Sequence, residues 1–294
     1  MTTGVQALGP LIINLAPTGM LPTREQSPFV PLSVEEIVAD ALQCLGEGAS
    51  IVHLHARDDD GRPTYRKEIY ARIIAGIREK NAQAVICVSL SGRNHPAFEQ
   101  RADPLLLEGD LKPDMASLTL SSLNFPRSAS VNSPEMILRL AQAMAERDIK
   151  PELEVFDLGM LNYAAYLLEK ELLRPPLYFN FLLGGVATAQ AKPSHLGLLM
   201  NELPAGSLWA AAGLGAAQLP MNMLGLLFGN GVRVGLEDYL WMDAGRQKLA
   251  RNVDQVRRIV QLAETTGRVV ATPAQTRAML GLPSRSGSPA GAVG

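Results

Sequence analysis

The sequence predicts an α/β protein of the (β/α)8 TIM-barrel class, folded as a single domain. Short apolar runs alternate with longer segments of helical period along the whole chain, and eight of these runs have the character of strands. A length of 294 residues suits one such barrel, and a hydrophobic content of 47% supplies a large core. The predicted strands span residues 11–15, 50–55, 84–89, 115–119, 152–156, 177–183, 207–211 and 232–235.

Capping residues mark where helices begin between these strands. Ser33 and Glu36 have the spacing of a capping box, in which side chains satisfy the free backbone amides of a helix start. Ser133 precedes a proline, a combination typical of an N-cap and a first helical turn. Thr272 and Gln275 repeat the capping box near the end of the chain. The segments between the apolar runs are therefore predicted to be helical.

The connections that follow the first, third and fourth predicted strands are long, whereas those that lead from helix to strand are short. Residues 16–32, 90–112 and 120–133 are the three long connections. In a parallel barrel such connections gather at the carboxyl ends of the strands, where active sites are built. An open doubly wound sheet is the alternative, but no glycine-rich phosphate loop follows the first strand. We therefore predict a closed barrel over residues 1–282 and a flexible tail over residues 283–294.

Charge and composition favour a small-molecule partner. The chain has 27 Lys and Arg against 29 Asp and Glu, so no strong net charge favours nucleic acid or anionic lipid. Neither a membrane-spanning apolar stretch nor a secretion signal is visible, and we expect a cytoplasmic protein. Cys44 and Cys87 lie in apolar segments and are expected to be buried side chains rather than a disulfide.

The strongest chemical signal is a pair of histidines at the end of the second predicted strand. Because side chains alternate along a strand, His53 and His55 face the same side, about 6.6 Å apart along its axis. Two imidazoles so placed can bind one divalent metal ion. Glu237 is the best third ligand, because strand eight lies beside strand one in a closed barrel. Ordinary hydrogen-bonded histidines are one alternative, and another is that Glu237 and Asp238 cap the next helix or pair with Arg246.

Other polar residues near these strand ends are candidates for substrate chemistry. Asp238 points away from Glu237 if the strand continues, but it can turn into the mouth as a base if a loop begins there. Arg233 can pair with Asp238 or bind an anion. Residues 89–95 and 121–125 offer hydroxyls and amides suited to a carboxylate, although ordinary turns use the same residues.

Taken together, these motifs resemble the β-keto acid cleavage enzymes, a family that includes 3-keto-5-aminohexanoate cleavage enzyme. The resemblance extends from about Asn14 to Leu282, which is nearly the whole chain. Five motifs occur in the same order: APTG (16–19), VHLHAR (52–57), PELEVFD (151–157), GVRVGLED (231–238) and AMLGL (278–282).

The resemblance implies a barrel that binds zinc through two histidines and a glutamate, matching His53, His55 and Glu237. It implies an acyltransferase that condenses acetyl-CoA, its co-substrate, with a β-keto acid and releases acetoacetate and a new acyl-CoA. Asp238 matches the acid–base residue that takes a proton from the acetyl group, and Arg233 matches the arginine that works with it. The family also suggests a homotetramer.

The resemblance further implies where the substrate binds. Ser89 and Ser122 match the hydroxyl positions that hold the substrate carboxylate, and Ser89 also counts among the predicted catalytic residues. The other predicted substrate-binding residues are Ser91, Gly92, Arg93, Asn124 and Glu154.

Two departures from the family pattern concern the substrate. The common Ser-Thr-Gly-Gly stretch reads SLSGR over residues 89–93. The family acid that holds a substrate ammonium is replaced by Met20 or Leu21, which argues against a 3-keto-5-amino substrate. Arg93 is a candidate to bind a second anionic group instead.

Two other functions share these features. A metal-dependent lyase or aldolase would use the same histidines to stabilise an enolate and would not need acetyl-CoA. A non-catalytic metal-binding or scaffold barrel would bind the ion without converting a substrate.

Overall fold

The computed structural model describes residues 9–285, which contain a closed barrel of eight parallel strands. Each strand pairs with its neighbours in chain order, and the last returns to pair with the first. All eight predicted strands are confirmed, with ends that differ by at most two residues. The strands are β1 (Ile12–Leu15), β2 (Ile51–Leu54), β3 (Val85–Val88), β4 (Met115–Thr119), β5 (Lys150–Val155), β6 (Tyr178–Leu183), β7 (Leu208–Gly213) and β8 (Gly231–Val234).

Helices follow the strands and surround the barrel. The two capping boxes form as predicted, with Ser33 accepting a hydrogen bond from the Glu36 amide and Thr272 accepting one from the Gln275 amide. Ser133 caps its helix in the same way. The helices are α1 (Val34–Gly46), α2 (Lys67–Lys80), α3 (Phe98–Ala102), α4 (Pro134–Glu146), α5 (Leu158–Glu169), α6 (Pro193–Asn201), α7 (Gln218–Phe228), α8 (Asn252–Thr265) and α9 (Pro273–Leu280).

Two connections at the carboxyl ends of the strands fold back as short antiparallel pairs. After β2, Ala56–Arg57 pairs with Pro63–Thr64. After β4, Leu123–Asn124 pairs with Ala129–Ser130. Both hairpins lie at the barrel mouth and restrict the positions of the polar loops there.

The strands separate the core beneath the helices from the interior of the barrel. Residues that face outward, such as Ile13 and Val52, pack under the helices in one large apolar cluster. Inside the barrel, a lower apolar layer includes Ile12 and Ile51 and is closed from below by Leu280 on α9. Both cysteines are buried and free, as expected. The next layer toward the mouth is polar, and its fully buried members include Asn14, His53, Glu152, Asn180 and Arg233.

A buried ion cluster closes the end of the barrel opposite the mouth. Asp114, immediately before β4, accepts hydrogen bonds from Arg78 at 3.1 Å, Arg277 at 2.8 Å and Arg285 at 3.2 Å. It also accepts one from the Ile86 amide at 2.9 Å. Burial acts to raise the pKa of Asp114, but the charges of Arg78 and Arg277 outweigh it and lower the pKa. One carboxylate therefore ties α2, α9 and two strands together.

The C-terminal segment reaches this cluster. Arg285 lies beyond residue 282, the predicted end of the barrel domain, and contacts Asp114. Residues 286–294 of the predicted tail lie outside the described residues, so the domain boundary and the tail stay predictions. Across residues 9–285, the structure contains no helix with the length and apolar character that a membrane crossing requires.

We expect the D114N substitution to lower the free energy of unfolding by about 3–5 kcal/mol, because it leaves buried guanidinium groups without a counter-charge. Chemical denaturation followed by circular dichroism measures this change. The control is E35Q, which breaks the exposed pair of Glu35 and Arg72 and should leave the midpoint unchanged. A D114N protein as stable as the unaltered chain would contradict the role given to the cluster.

Candidate metal centre and active site

Most of the predicted site residues line a cavity of about 370 Å³ at the barrel mouth, within the size range of small-molecule sites. Apolar side chains, including Met20, Leu21 and Phe125, form much of its wall. The predicted residues that line it are His55, Ser89, Ser91, Arg93, Asn124, Glu154, Arg233, Glu237 and Asp238.

The three predicted metal ligands come together at the base of this cavity. Nε2 of His55 lies 3.3 Å from one carboxylate oxygen of Glu237, and Nε2 of His53 lies 4.0 Å from the other. The two imidazole rings are 5.3 Å apart. One nitrogen or oxygen from each residue lies within 4.8 Å of the other two, a spacing that allows one ion to contact all three. The residues thus fit a divalent metal ion.

The hydrogen bonding of these ligands also fits a metal. Nε2 of His53 and one carboxylate oxygen of Glu237 are buried without a hydrogen-bond partner among the described residues. Buried polar atoms are rarely left unsatisfied in folded proteins, and a cation between them would satisfy both. The pKa of Glu237 is held well below its usual value, because His55 and Arg233 outweigh the effect of burial. Glu237 is therefore anionic, which suits it to be a metal ligand.

Two glycines let the Glu237 carboxylate reach the histidines. Gly235 ends the eighth strand with φ of 143°, and a Cβ there would lie 2.0 Å from the carbonyl oxygen of Ala16. Gly19 in the first loop has φ of 67°, and a Cβ there would lie 2.6 Å from Cγ of Glu237. A larger residue at either position would push the first loop and Glu237 apart.

Glu152 is a site residue that the sequence analysis did not predict. It is fully buried on β5, and its carboxylate lies 2.6 Å from Nδ1 of His53 and accepts a hydrogen bond from Asn14 at 2.6 Å. Burial acts to raise the pKa of Glu152, but His53 and Arg233 lower it to about 2. A carboxylate at Nδ1 fixes that nitrogen as the protonated one, leaving the Nε2 lone pair of His53 for a metal.

His53, Cys87 and Glu152 form a second group with metal-ligand spacing. In this group Nδ1 of His53 is already bonded to Glu152. Burial also raises the pKa of the Cys87 thiol well above its usual value, which disfavours a thiolate at this position. The first group is the better candidate.

Asp238 turns into the mouth, where it is bound by Arg233. Nε of Arg233 donates to Asp238 at 3.0 Å and Nη2 donates to it at 3.3 Å. Nη2 also lies 2.8 Å from Glu237, and Nη1 lies 3.7 Å from Glu154. The alternative pairing of Glu237 or Asp238 with Arg246 is wrong, because the ion pairs of both carboxylates are with Arg233 and the histidines.

The polar loops line the cavity only in part. Glu154 accepts a hydrogen bond from Thr119 at 2.6 Å, and the Arg93 guanidinium stacks on the Phe125 ring at 3.5 Å from its centroid. Gly92 and Ser122 are predicted substrate-binding residues that do not line the cavity. Gly92 packs against a buried arginine, and the Ser122 hydroxyl accepts a hydrogen bond from the Asn132 amide at 2.8 Å.

Comparison with known proteins shows similarity over nearly the whole chain. The family model for beta-keto acid cleavage enzyme matches residues 10–282. A 3-keto-5-aminohexanoate cleavage enzyme of Fusobacterium nucleatum is 39% identical over 274 residues, covering 92% of this chain and 98% of that protein. A 3-oxoadipate:acetyl-CoA acetyltransferase of Cupriavidus necator is 37% identical, covering 94% of this chain and 96% of that protein.

Solved structures support the fold. The apo structure of ObcA is similar with a TM-score of 0.78 and 22% identity, covering 87% of this chain and 66% of that chain. At this identity the likeness shows a shared barrel and nothing about the reaction. The family match over almost the whole chain, with relatives of 37% and 39% identity, is the stronger finding. The chain belongs to the beta-keto acid cleavage enzyme family.

Proposed function

We propose that the protein is a divalent-metal enzyme, with zinc as its metal, that transfers an acyl group between acetyl-CoA and a β-keto acid. The products are acetoacetate and a new acyl-CoA. The observation that carries the proposal is the convergence of His53, His55 and Glu237 beside the Arg233–Asp238 pair in one cavity. Two histidines and a carboxylate with one open side are a ligand set that catalytic zinc uses.

Each side chain of the site has its own role in the reaction. When bound, the metal would supply Lewis-acid polarisation of the substrate keto group. Asp238 accepts a proton from the acetyl methyl group, and Arg233 holds its carboxylate in place through two hydrogen bonds. Ser89, Ser91 and Asn124 line the cavity and offer hydrogen bonds to the substrate carboxylate. The net reaction is an acyl exchange, so it requires no oxidant or reductant.

The cavity wall favours a substrate with an acidic side chain. Met20 and Leu21 provide no charge for an ammonium group, whereas the half-buried Arg93 guanidinium lines the cavity and carries a positive charge. Nε of Arg93 is buried without a hydrogen-bond partner among residues 9–285. A 3-keto dicarboxylate, such as the 3-oxoadipate for which one relative is named, matches this chemistry.

The rival reaction is cleavage of the keto acid without acetyl-CoA, as in a lyase or aldolase on the same barrel. The relative from Cupriavidus necator, which is named as an acetyl-CoA acetyltransferase, favours the transferase. Family membership also argues against a scaffold without catalysis. A homotetramer and a cytoplasmic location stay predictions.

We expect E152Q to weaken zinc binding by about tenfold to a hundredfold, because a neutral amide supports the His53 imidazole less well than a carboxylate. The variant should fold, since the Asn14 amide can turn and present its unpartnered oxygen to the new Nε2. Competition with a chromophoric chelator measures the affinity. E154Q, a matched change two residues away that does not touch a histidine, should retain zinc. Equal affinities of E152Q and the unaltered protein would rule out this role for Glu152.

We expect D238N to lower kcat by about 10²–10⁴-fold while zinc content stays the same, because an amide cannot accept the proton. The assay follows acetoacetate and acyl-CoA formation from a panel of β-keto acids, with and without acetyl-CoA. D60N, an exposed change on the hairpin after β2, is the control and should leave kcat unchanged. Keto acid cleavage that proceeds without acetyl-CoA would overturn the transferase in favour of a lyase.

We expect R93A to raise KM for 3-keto dicarboxylates by about tenfold to a hundredfold, because a charge-assisted hydrogen bond to the second carboxylate is lost. KM for 3-keto monocarboxylates should change much less. Steady-state kinetics with keto acids of matched length measure both values. An equal effect on the two substrate classes would remove Arg93 as the residue that selects the substrate side chain.

A further inference from the structure

Arg101, on the short helix α3, is buried directly beneath the polar loop after β3. The residue is only 3% exposed. Its Nε donates to the carbonyl oxygen of Leu90 at 2.7 Å, and its Nη2 donates to the side chain of Asn132 at 2.7 Å. Its Nη1 is buried without a hydrogen-bond partner in the described part of the chain. A charged group at this depth is thus only partly satisfied.

Arg101 lacks the carboxylate partner that three other buried arginines of the barrel have. Arg78 and Arg277 share the carboxylate of Asp114, and Arg233 binds several carboxylates at the mouth. Among residues 9–285, no carboxylate lies within 4.0 Å of the Arg101 guanidinium. Burial lowers the pKa of Arg101 to about 10, so the guanidinium is still charged at neutral pH. A buried charge without a partner is costly, and an anionic ligand would offset that cost.

The guanidinium lies next to the predicted carboxylate site. Arg101 lines a small recess together with His55, Ser89 and Ser91. These three residues also line the main cavity, so the recess adjoins the place where the substrate carboxylate is expected. Gly92 allows this arrangement, because a Cβ there would lie 2.8 Å from Nη1 of Arg101.

Arg101 also links the two polar loops. Its hydrogen bond to Leu90 holds the loop after β3. Its partner Asn132 donates to the carbonyl oxygen of Ser121 at 3.0 Å and to the Ser122 hydroxyl at 2.8 Å, which holds the loop after β4. Gly92 and Ser122, which do not line the cavity, therefore both belong to the surroundings of this arginine.

We propose that Arg101 is a positioning residue that fixes both loops and supplies the positive charge for the substrate carboxylate bound at Ser89 and Ser91. This inference rests on the proposed function, because it takes the substrate to be a β-keto acid. It assigns the charge that faces the carboxylate common to all β-keto acids, whereas Arg93 faces the variable side chain. Binding should therefore depend on Arg101 for any β-keto acid.

A purely structural role would have different consequences. If Arg101 only braced the loops, its loss would weaken charged and neutral ligands alike. If it supplies charge, its loss should weaken an anionic ligand far more than a neutral one of the same shape. Acetoacetate and acetoacetamide are such a pair, because both offer the same keto oxygen and differ in charge at the terminal group.

The test is isothermal titration calorimetry of the zinc-loaded protein with acetoacetate and with acetoacetamide. We expect R101Q to weaken the binding of acetoacetate by about tenfold to a hundredfold and to change the affinity for acetoacetamide by less than about threefold. R101K, which keeps the charge, should restore most of the preference for acetoacetate. The matched control is R268Q, because Arg268 donates to backbone carbonyls at the other end of the barrel and should not affect either ligand.

A second variant keeps the inference testable if R101Q does not fold. N132D keeps a hydrogen-bond acceptor for Arg101 and supplies the missing carboxylate beside it. The new ion pair with Arg101 offsets the lost hydrogen bond to the Ser121 carbonyl oxygen, so we expect this variant to fold and to lose affinity for acetoacetate more than for acetoacetamide. Acetoacetamide serves as the internal control, since any displacement of the Ser121 loop would affect both ligands.

Three results would overturn the inference. If R101Q or N132D weakened the binding of both ligands equally, Arg101 would only support the loops and would not supply charge. Unchanged binding of both would remove any role in the site. If the unaltered zinc-loaded protein bound neither ligand, the proposed function would fail together with the inference. In the other two cases the unaltered protein still binds, so only the inference fails.

Discussion

Closure of the barrel between β1 and β8 is the constraint on which the site depends. The two strands pair in parallel over four residues, so that Asn14 lies opposite Arg233. Only this closure brings Glu237, more than 180 residues from the histidines in sequence, to within 4.0 Å of both imidazoles. Hydrogen bonds along the seam are backbone bonds and do not depend on the identity of the side chains they position.

The closed sheet then concentrates charge in its interior. Arg233 is surrounded by Asp238, Glu237, Glu154 and Glu152, all within 4.0 Å. One guanidinium does not neutralise four carboxylates, and a divalent cation held by the neutral histidine pair would offset two more of the negative charges. Such a layer costs folding free energy, which the apolar layers around and below it must offset. Buried charge that is unfavourable for the fold is typical of a site selected for chemistry.

The sequence alone predicts the parts of this arrangement that follow from local residue patterns. Short apolar runs identified all eight strands, and the His53 and His55 spacing identified one side of the metal site. Glu152 and Glu154 have the same two-residue spacing as His53 and His55, yet the sequence does not predict the role of Glu152. A carboxylate in a strand does not indicate its partner until the fold brings His53 beside it. The sequence does not predict the direction of Asp238 for a related reason, since that direction depends on the positive φ at Gly235 rather than on strand geometry.

Gly92 and Ser122 show a further limit of motif reasoning. Their positions in the motifs suggested contact with a ligand, whereas in the structure they surround Arg101 and Asn132. A residue of a motif near a site can contact the ligand directly, or it can support a neighbouring residue. The motif alone does not distinguish these two roles. Only the packing of α3 against the two loops makes that distinction.

The Asp114 ion cluster lies at the opposite end of the barrel from every residue of the metal centre. Because the cluster joins helices and strands at that end, it lets the loops at the mouth differ in length and sequence without opening the barrel. Natural selection can therefore remodel the substrate pocket while the rest of the molecule stays the same. Relatives that act on differently substituted keto acids would be the evolutionary result of this separation.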